Sequence, residues 1–279
     1  MSKKIARTFK YIVLSILSII SIFPFFWMVI VATNPSVEVT KGTLLPGTYF
    51  MTNLKNLLAS DLHYMTAFKN SIIIAVVTTT LAMVISSLAG YSFEVYRTKK
   101  REVCFNVILL SMMVPFAALM VPLFQLFGKF NNIPVLKWVG LNTSGSVIII
   151  AIATAFLIFF FRQNTKTFPK ELIEAARIDG LNEGRIFRSV YMPTMKSTYA
   201  AAIVVTFMTS WNNYLWPLIA LQSSDKRTLP LIISALGSSY TPDYGMIMTA
   251  IVIATIPSAL VFFCMQNYFV AGMTGSVKG

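Results

Sequence analysis

Apolar residues run along this chain in six long blocks separated by polar connections. Stretches free of Asp, Glu, Lys and Arg cover 11–33, 70–93, 103–128, 138–161, 197–224 and 244–277. A helix needs about 20 residues to cross a hydrocarbon core of about 30 Å, and every block reaches that length. Inside lipid each backbone polar group must be satisfied within its own segment, so the blocks are predicted to be helices. The predicted spans are about 11–33, 70–92, 104–127, 144–163, 199–221 and 246–269. No long Pro-, Gly- or Ser-rich linker, low-complexity tract or internal repeat interrupts them. Residues 1–279 are therefore expected to form one all-α, polytopic membrane domain of six transmembrane helices.

The first block has a basic lead-in, Lys3, Lys4, Arg7 and Lys10, as a signal peptide would. Its apolar run of about 23 residues exceeds the roughly 7–15 of a signal core, and Pro24 and Trp27 sit inside it. It is read as an uncleaved anchor.

Charge changes the picture by giving direction. Only 12% of the 279 residues are charged, with a formal net charge of +13. With the N-terminus inside, the inner segments hold 16 Lys and Arg and the outer loops hold 7. The excess of inner cations places both termini in the cytoplasm. These cations flank spans instead of forming one stripe, so they report topology and not nucleic-acid binding.

Catalytic and metal chemistry find no footing. Cys104 and Cys264 lie far from any C-x-x-C spacing, and His63 is the single histidine. There is no Ser-His-Asp set and no G-x-x-x-x-G-K-[ST] phosphate loop. No cofactor is expected on this chain, and ATP could be used only through another subunit. The cores of the spans carry no Asp, Glu, Lys or Arg, which disfavours an ion-coupled carrier. Their polar groups are neutral: Asn106, Gln125, Ser210, Asn212, Asn213 and Gln266. The densest is "SWNNYLWPL" from Ser210 to Leu218. Asn212 and Asn213 sit about 100° apart on a helix. They serve either interhelical hydrogen bonds or a polar solute path lined by Ser210, Trp211, Asn212, Asn213 and Tyr214. Amides match sugar hydroxyls and indole faces stack on sugar rings. Pro115, Pro122, Pro217 and Pro257 are candidates for helix kinks.

The longest inner segment, about 164–197, reads as two short helices. Thr167 is a candidate cap, Pro169 suits a first turn, Gly180 ends the first helix, Asn182 caps the second and Pro193 marks the return. Leu172, Ala175, Ala176 and Asp179 share one face, small enough in the middle for a close-packed partner. Lys170 with Glu174, and Glu174 with Arg177, could equally pair on the surface and make the loop self-contained. The residue pattern leaves both a docking loop and a solvated loop open.

The spacing within this loop carries a resemblance. Glu174-Ala175-Ala176, three residues, Gly180, nine residues, then Val190-Tyr191-Met192-Pro193 resembles the EAA motif of permease subunits in binding-protein-dependent ABC importers. The family pattern ends I-x-L-P, so Val and Met are conservative departures. Asn70-Ser71, "WNNYLWPL", "TLPL", "DYGMIMTA", Ile256-Pro257 and the ending "QNYFVAGMTGSVKG" are similar to the sugar-uptake, maltose-type branch over nearly the whole chain. The resemblance implies a type I (MetI-like) transmembrane domain in a bacterial cytoplasmic membrane. It implies an ATPase-docking helix with Glu174, Ala175, Ala176, Arg177, Asp179, Gly180 and Pro193, and a tail in which Gly272, Gly275, Val277 and Lys278 reach the ATPase dimer. The implied partners are a second permease subunit in a heterodimer, two ATPase subunits carrying ATP and Mg, an extracytoplasmic sugar-binding protein and membrane lipid. The alternatives are a membrane scaffold whose loop docks a cytosolic regulator, or an importer of a non-sugar solute.

Overall fold

The computed structural model describes residues 3–275, and among them there are helices and no strands. The helices are α1 (Lys3–Ala32), α2 (Ser36–Thr40), α3 (Phe50–Ala59), α4 (Tyr64–Val95), α5 (Lys99–Ser111), α6 (Phe116–Phe130), α7 (Ser144–Ile149), α8 (Ala155–Thr165), α9 (Lys170–Ile178), α10 (Glu183–Ile186), α11 (Met192–Thr194), α12 (Lys196–Trp211), α13 (Leu215–Ala220), α14 (Leu229–Gly237) and α15 (Tyr244–Gly275).

The first predicted span lies within α1 but for its last residue, and the second and sixth lie within α4 and α15; each of the three helices is long and apolar enough to cross a membrane. The third is a bent pair. α5 and α6 meet at 100°, and counted as one span they make a fourth. Pro115 sits at the N-cap of α6 in extended backbone, and its ring prevents α5 from running on. The predicted fourth and fifth spans are broken, at 150–154 between α7 and α8 and at 212–214 between α12 and α13. Side chains stabilise those breaks. Thr154 accepts a hydrogen bond from the Leu157 N–H and so starts α8. The Asn212 amide donates to the Met208 carbonyl at 3.0 Å where α12 ends. Continuous membrane-length helices among the described residues thus number three, or four with the bent pair, against six apolar blocks in the sequence.

The chain divides into two compact units, Met1–Met65 with Ile232–Ile256, and Thr66–Leu231 with Pro257–Gly279. In the first, an amide cluster fixes the end of α1. Asn53 donates to the carbonyls of Ala32 and Asn34, both at 3.0 Å, and Asn34 donates to Ile30 and Leu45. A Cβ at Gly245 would stand 2.5 Å from the Asn34 carbonyl oxygen, so only glycine lets α15 begin there. The apolar faces of α1 remain exposed.

The second unit has two apolar cores. One gathers Ile74, Phe127, Val147, Trp216, Ala220 and Leu221, with the Trp216 indole donating to the Ser146 carbonyl at 3.0 Å. The other joins α4, α8 and α12 to the inner loop through Ala82, Tyr91, Phe161, Ile173, Ile186 and Tyr191. α4 and α8 cross there at Gly90. A Cβ on that residue would lie 2.6 Å from the Phe161 Cβ and 2.8 Å from the Arg162 backbone nitrogen. Both obstacles are main chain or next to it and cannot swing away.

Gly90→Val should therefore destabilise the protein by about 1–3 kcal/mol through overpacking. Gly237→Ala, where nothing lies within 4 Å, should be near neutral. Thermal midpoints of the two purified variants in one detergent give the comparison.

Candidate functional site: the inner loop and its helix

α9 is the helix that carries the motif. Pro169 occupies its N-cap in extended backbone, with no side-chain cap. Thr167 does not cap it, as its hydroxyl donates to the Asn164 carbonyl at 2.8 Å instead. The C-terminus closes as expected from Gly180, which has φ +80°, a backbone setting that favours glycine. The Leu181 N–H donates to Ala176 and the Gly180 N–H to Arg177, both at 3.0 Å, the paired bonds of a Schellman end. Leu181 then packs on the apolar core. Asn182 caps α10, accepting from the Arg185 N–H at 2.9 Å. After α10 comes one π-helical turn, Phe187–Tyr191, next to Pro193. Proline lacks an N–H and crowds the carbonyl four residues back, and the wider turn relieves that contact.

The faces of α9 are assigned by burial. Ile173 and Ala176 point inward, Ala176 being only 6% exposed. Glu171, Glu174, Ala175 and Asp179 face outward, and Ile178 projects at 87% exposure. This corrects the docking face drawn from spacing. Ala176 packs on its own chain, and Ala175 is the small residue left open to a partner. The alternative surface pairs, Lys170 with Glu174 and Glu174 with Arg177, do not form. Arg177 Nε donates to Glu183 Oε1 at 2.8 Å across the Gly180 turn, and Glu174 has no ion pair among the described residues. Glu183 also accepts from the Tyr96 hydroxyl. Arg177 first and Tyr96 second hold the Glu183 carboxyl below the usual carboxylate range. Pro193 is exposed. Beneath α9, Thr165 donates to the Phe161 carbonyl, so the buried Tyr191 hydroxyl, 2.6 Å from Thr165 Oγ1, is the donor in that contact. Burial pushes the Tyr191 phenol up from its ordinary value.

The second sequence-named group does not stay together. A cavity of about 210 Å³ opens where the two helix breaks face α4, with Thr78, Thr154, Thr206, Thr209, Ser210 and Asn213 as its polar lining. Ser210 and Asn213 belong to it. Trp211 is buried, its ring stacked 5.8 Å from Phe207. Asn212 is exposed with its amide turned to Met208, and Tyr214 is half-buried beside α13. Thr78 is 1% exposed and its hydroxyl has no hydrogen-bond partner among the described residues. Of the tail, Gly272 and Gly275 fall in the last turns of α15, while Val277 and Lys278 lie outside the described residues.

Residues 82–275 match the family described as binding-protein-dependent transport system inner membrane component. The chain belongs to that family. It is 50% identical over 269 residues to the lactose transport system permease protein LacG of Rhizobium radiobacter, covering 96% of this chain and 95% of that one. It is 37% identical to the arabinooligosaccharides transport system permease protein AraQ of Halalkalibacterium halodurans, covering 94% and 93%. The same fold is seen in the crystal structure of a bacterial ABC transporter that imports the acidic polysaccharide alginate. There the TM-score is 0.82 at 21% identity, over 96% of this chain and 98% of that one. The chain is thus a membrane component of an ABC importer with a MetI-like fold, a transport subunit and not an enzyme.

Within this family member, the sequence pattern missed a buried charge cluster. Arg162, 3% exposed, donates from Nε to Glu94 Oε2 at 3.2 Å and from its other arm to Glu102. Its guanidinium lies 4.0 Å from the Phe105 ring centroid, and Arg97 also binds Glu102. Each of these residues counts as an inner-loop charge when positions are read singly. The available signal was that Glu94 and Arg162 each directly end an apolar run.

Arg162→Leu should destabilise the chain by about 3–5 kcal/mol, because Glu94 is left buried without its cation. Pairing that change with Glu94→Leu should recover most of the loss. Yield and thermal midpoint of the three purified forms measure it.

Proposed function

We propose that this chain is one of two permease subunits in an ATP-driven importer of an oligosaccharide. It lies in the bacterial cytoplasmic membrane with both termini inside. It pairs with a second permease, receives sugar from an extracytoplasmic binding protein and docks one of two ATPase subunits through α9. The carrying observation is the outward face of α9, where Glu174 stands exposed and, among the described residues, unpaired on a helix whose inward face is anchored in the core. A carboxylate in that setting is free to meet a cation on a partner. The similarity to lactose and arabinooligosaccharide permeases supports sugar as the cargo. The cavity with Ser210 and Asn213 sets hydroxyls and an amide among apolar side chains, which suits a sugar's mixed surface, and supplies no charge that an ion-coupled carrier would use. ATP and Mg reside on the ATPase partners. The tail, with Gly272, Gly275, Val277 and Lys278, reaches the ATPase dimer.

The test is the complex purified with its genomic-neighbour subunits and assayed in proteoliposomes. Lactose, arabino-oligosaccharides and maltodextrins should be compared for stimulation of ATPase activity in the presence of the binding protein. At least one should stimulate; a response to glycerol phosphate alone would overturn the sugar reading. Glu174→Lys should leave the chain in the membrane and cut uptake about tenfold or more, within the usual 1–3 kcal/mol range of coupling between sites. Wild-type uptake in that variant would remove α9 as the docking element. Gly180→Val should act in the same direction, since valine is poor at positive φ. Deleting Gly275 to Gly279 should alter coupled ATPase activity.

A further inference from the structure

The coupling loop touches the membrane helices in two ways, and they differ in kind. Near the membrane, the Tyr91 ring on α4 packs edge-on against Phe187 and Tyr191, at 5.3 and 4.8 Å between centroids. Further out, the Tyr96 ring packs edge-on against Tyr91, at 6.0 Å between centroids. A cavity of about 460 Å³ runs alongside these rings between α4 and α10, bordered by Leu88, Tyr91, Tyr96, Glu183, Phe187 and Arg188 among others. Across its mouth runs one polar bridge, the Tyr96 hydroxyl donating to Glu183, which also holds Arg177. Apolar rings alone would let the loop rock about Tyr91 as a pivot. The bridge at Tyr96 removes that freedom.

Tyr96 is itself fixed to the first turn of α5. Arg101 donates to the carbonyls of Tyr96 at 2.9 Å and Ser92 at 3.3 Å, and its guanidinium sits 5.3 Å from the Tyr96 ring centroid. Glu94 and Glu102, on either side of this turn, are gripped by Arg162. Arg162 lies on α8, which leads directly into the loop, and Glu183 begins α10, on the loop's way out. The turn 94–102 is thus held from both ends of the coupling loop, and it continues into the bent pair α5–α6.

We propose that Tyr96 and Glu183 are positioning residues for coupled transport: their hydrogen bond makes the α4–α5 turn follow α9, so that movement of the docking helix reaches α5–α6. The proposal rests on the import reading above, and neither residue belongs to the family motif in the loop. As an exposed contact the bridge adds little to stability. Its role is directional.

The experiment uses the complete complex in proteoliposomes. Tyr96→Phe keeps the ring and removes the hydroxyl; Glu183→Gln removes the charge. Both should assemble with wild-type yield and thermal midpoint and hydrolyse ATP, yet import several-fold less sugar per ATP. A second arm replaces Cys104 and Cys264 with serine and introduces Tyr96→Cys with Glu183→Cys. That pair should be uncoupled as made. A short bis-methanethiosulfonate cross-linker should restore the sugar-to-ATP ratio, and reductant should abolish the restoration. An unchanged ratio in Tyr96→Phe overturns the proposal, as does arrest of uptake by the cross-link. The import reading fails separately, if the wild-type complex responds to no sugar at all.

Discussion

The Arg162 guanidinium is the contact on which the meeting of α4, α5 and α8 depends. A cation withdrawn from water costs several kcal/mol unless it is paired and hydrogen-bonded. Arg162 meets that condition only if Glu94 at the end of α4 and Glu102 at the start of α5 arrive together. Phe105 lies over the remaining face of the guanidinium. The demand is directional, because the planar fork accepts its two carboxylates from fixed sides. Gly90 lets the α8 backbone come close enough to α4 for the arrangement to form. The crossing of α4 and α8 and the start of α5 therefore follow from one buried charge and one missing side chain.

The motif helix α9 inherits its position from that crossing. α8 runs into α9 within five residues, and the inward face of α9 enters the same apolar core as Phe161 and Tyr91. An isolated nine-residue helix is marginal in water, and packing of one face supplies what propensity cannot. Ile173 and Ala176 provide that face, with Ile186 and Tyr191 behind them. The opposite face keeps Glu171, Glu174, Ala175 and Ile178 in the open. An element anchored on one side and chemically unsatisfied on the other is what a partner subunit requires of a handle.

Local features were legible in the sequence, and pairings across distance were not. Gly180, Asn182 and the three longest helices follow from neighbours within a few positions, and each appears where the pattern places it. The breaks at 150–154 and 212–214 are invisible to hydropathy, since Ala, Thr and Asn-Asn are tolerated inside an apolar block whether or not the helix continues. Spacing placed Ala175 and Ala176 near one another on the helix. It could not say that the core would claim Ala176. The charge cluster was hidden for a related reason. Arg162 lies 68 positions from Glu94 and 60 from Glu102, and a residue-by-residue reading assigns all three to loops. Glu183, which the loop motif does not include, is bound to Tyr96 over 87 positions.

The division of polar groups between the two regions carries its own logic. Arg162 and Glu94 gather buried charge where α4, α5 and α8 meet, and loss of either leaves a costly orphan. The cavity at the helix breaks sets five hydroxyls and one amide among apolar side chains, with no ionised group. Exchanging one neutral hydrogen bond for another is worth only about 0.5–1.5 kcal/mol net. Water and a sugar hydroxyl can therefore replace each other on such a surface with little loss either way. A buried ion at the same place would either bind its counter-charge permanently or shift its ionisation, and each would slow a neutral solute. Thr78, enclosed and without a partner among the described residues, shows the remaining tension in that lining: its hydroxyl is already stripped of water. On the import reading, an arriving polyol would offset that desolvation by supplying the missing bond, and the gain would last only while the cavity keeps its present shape.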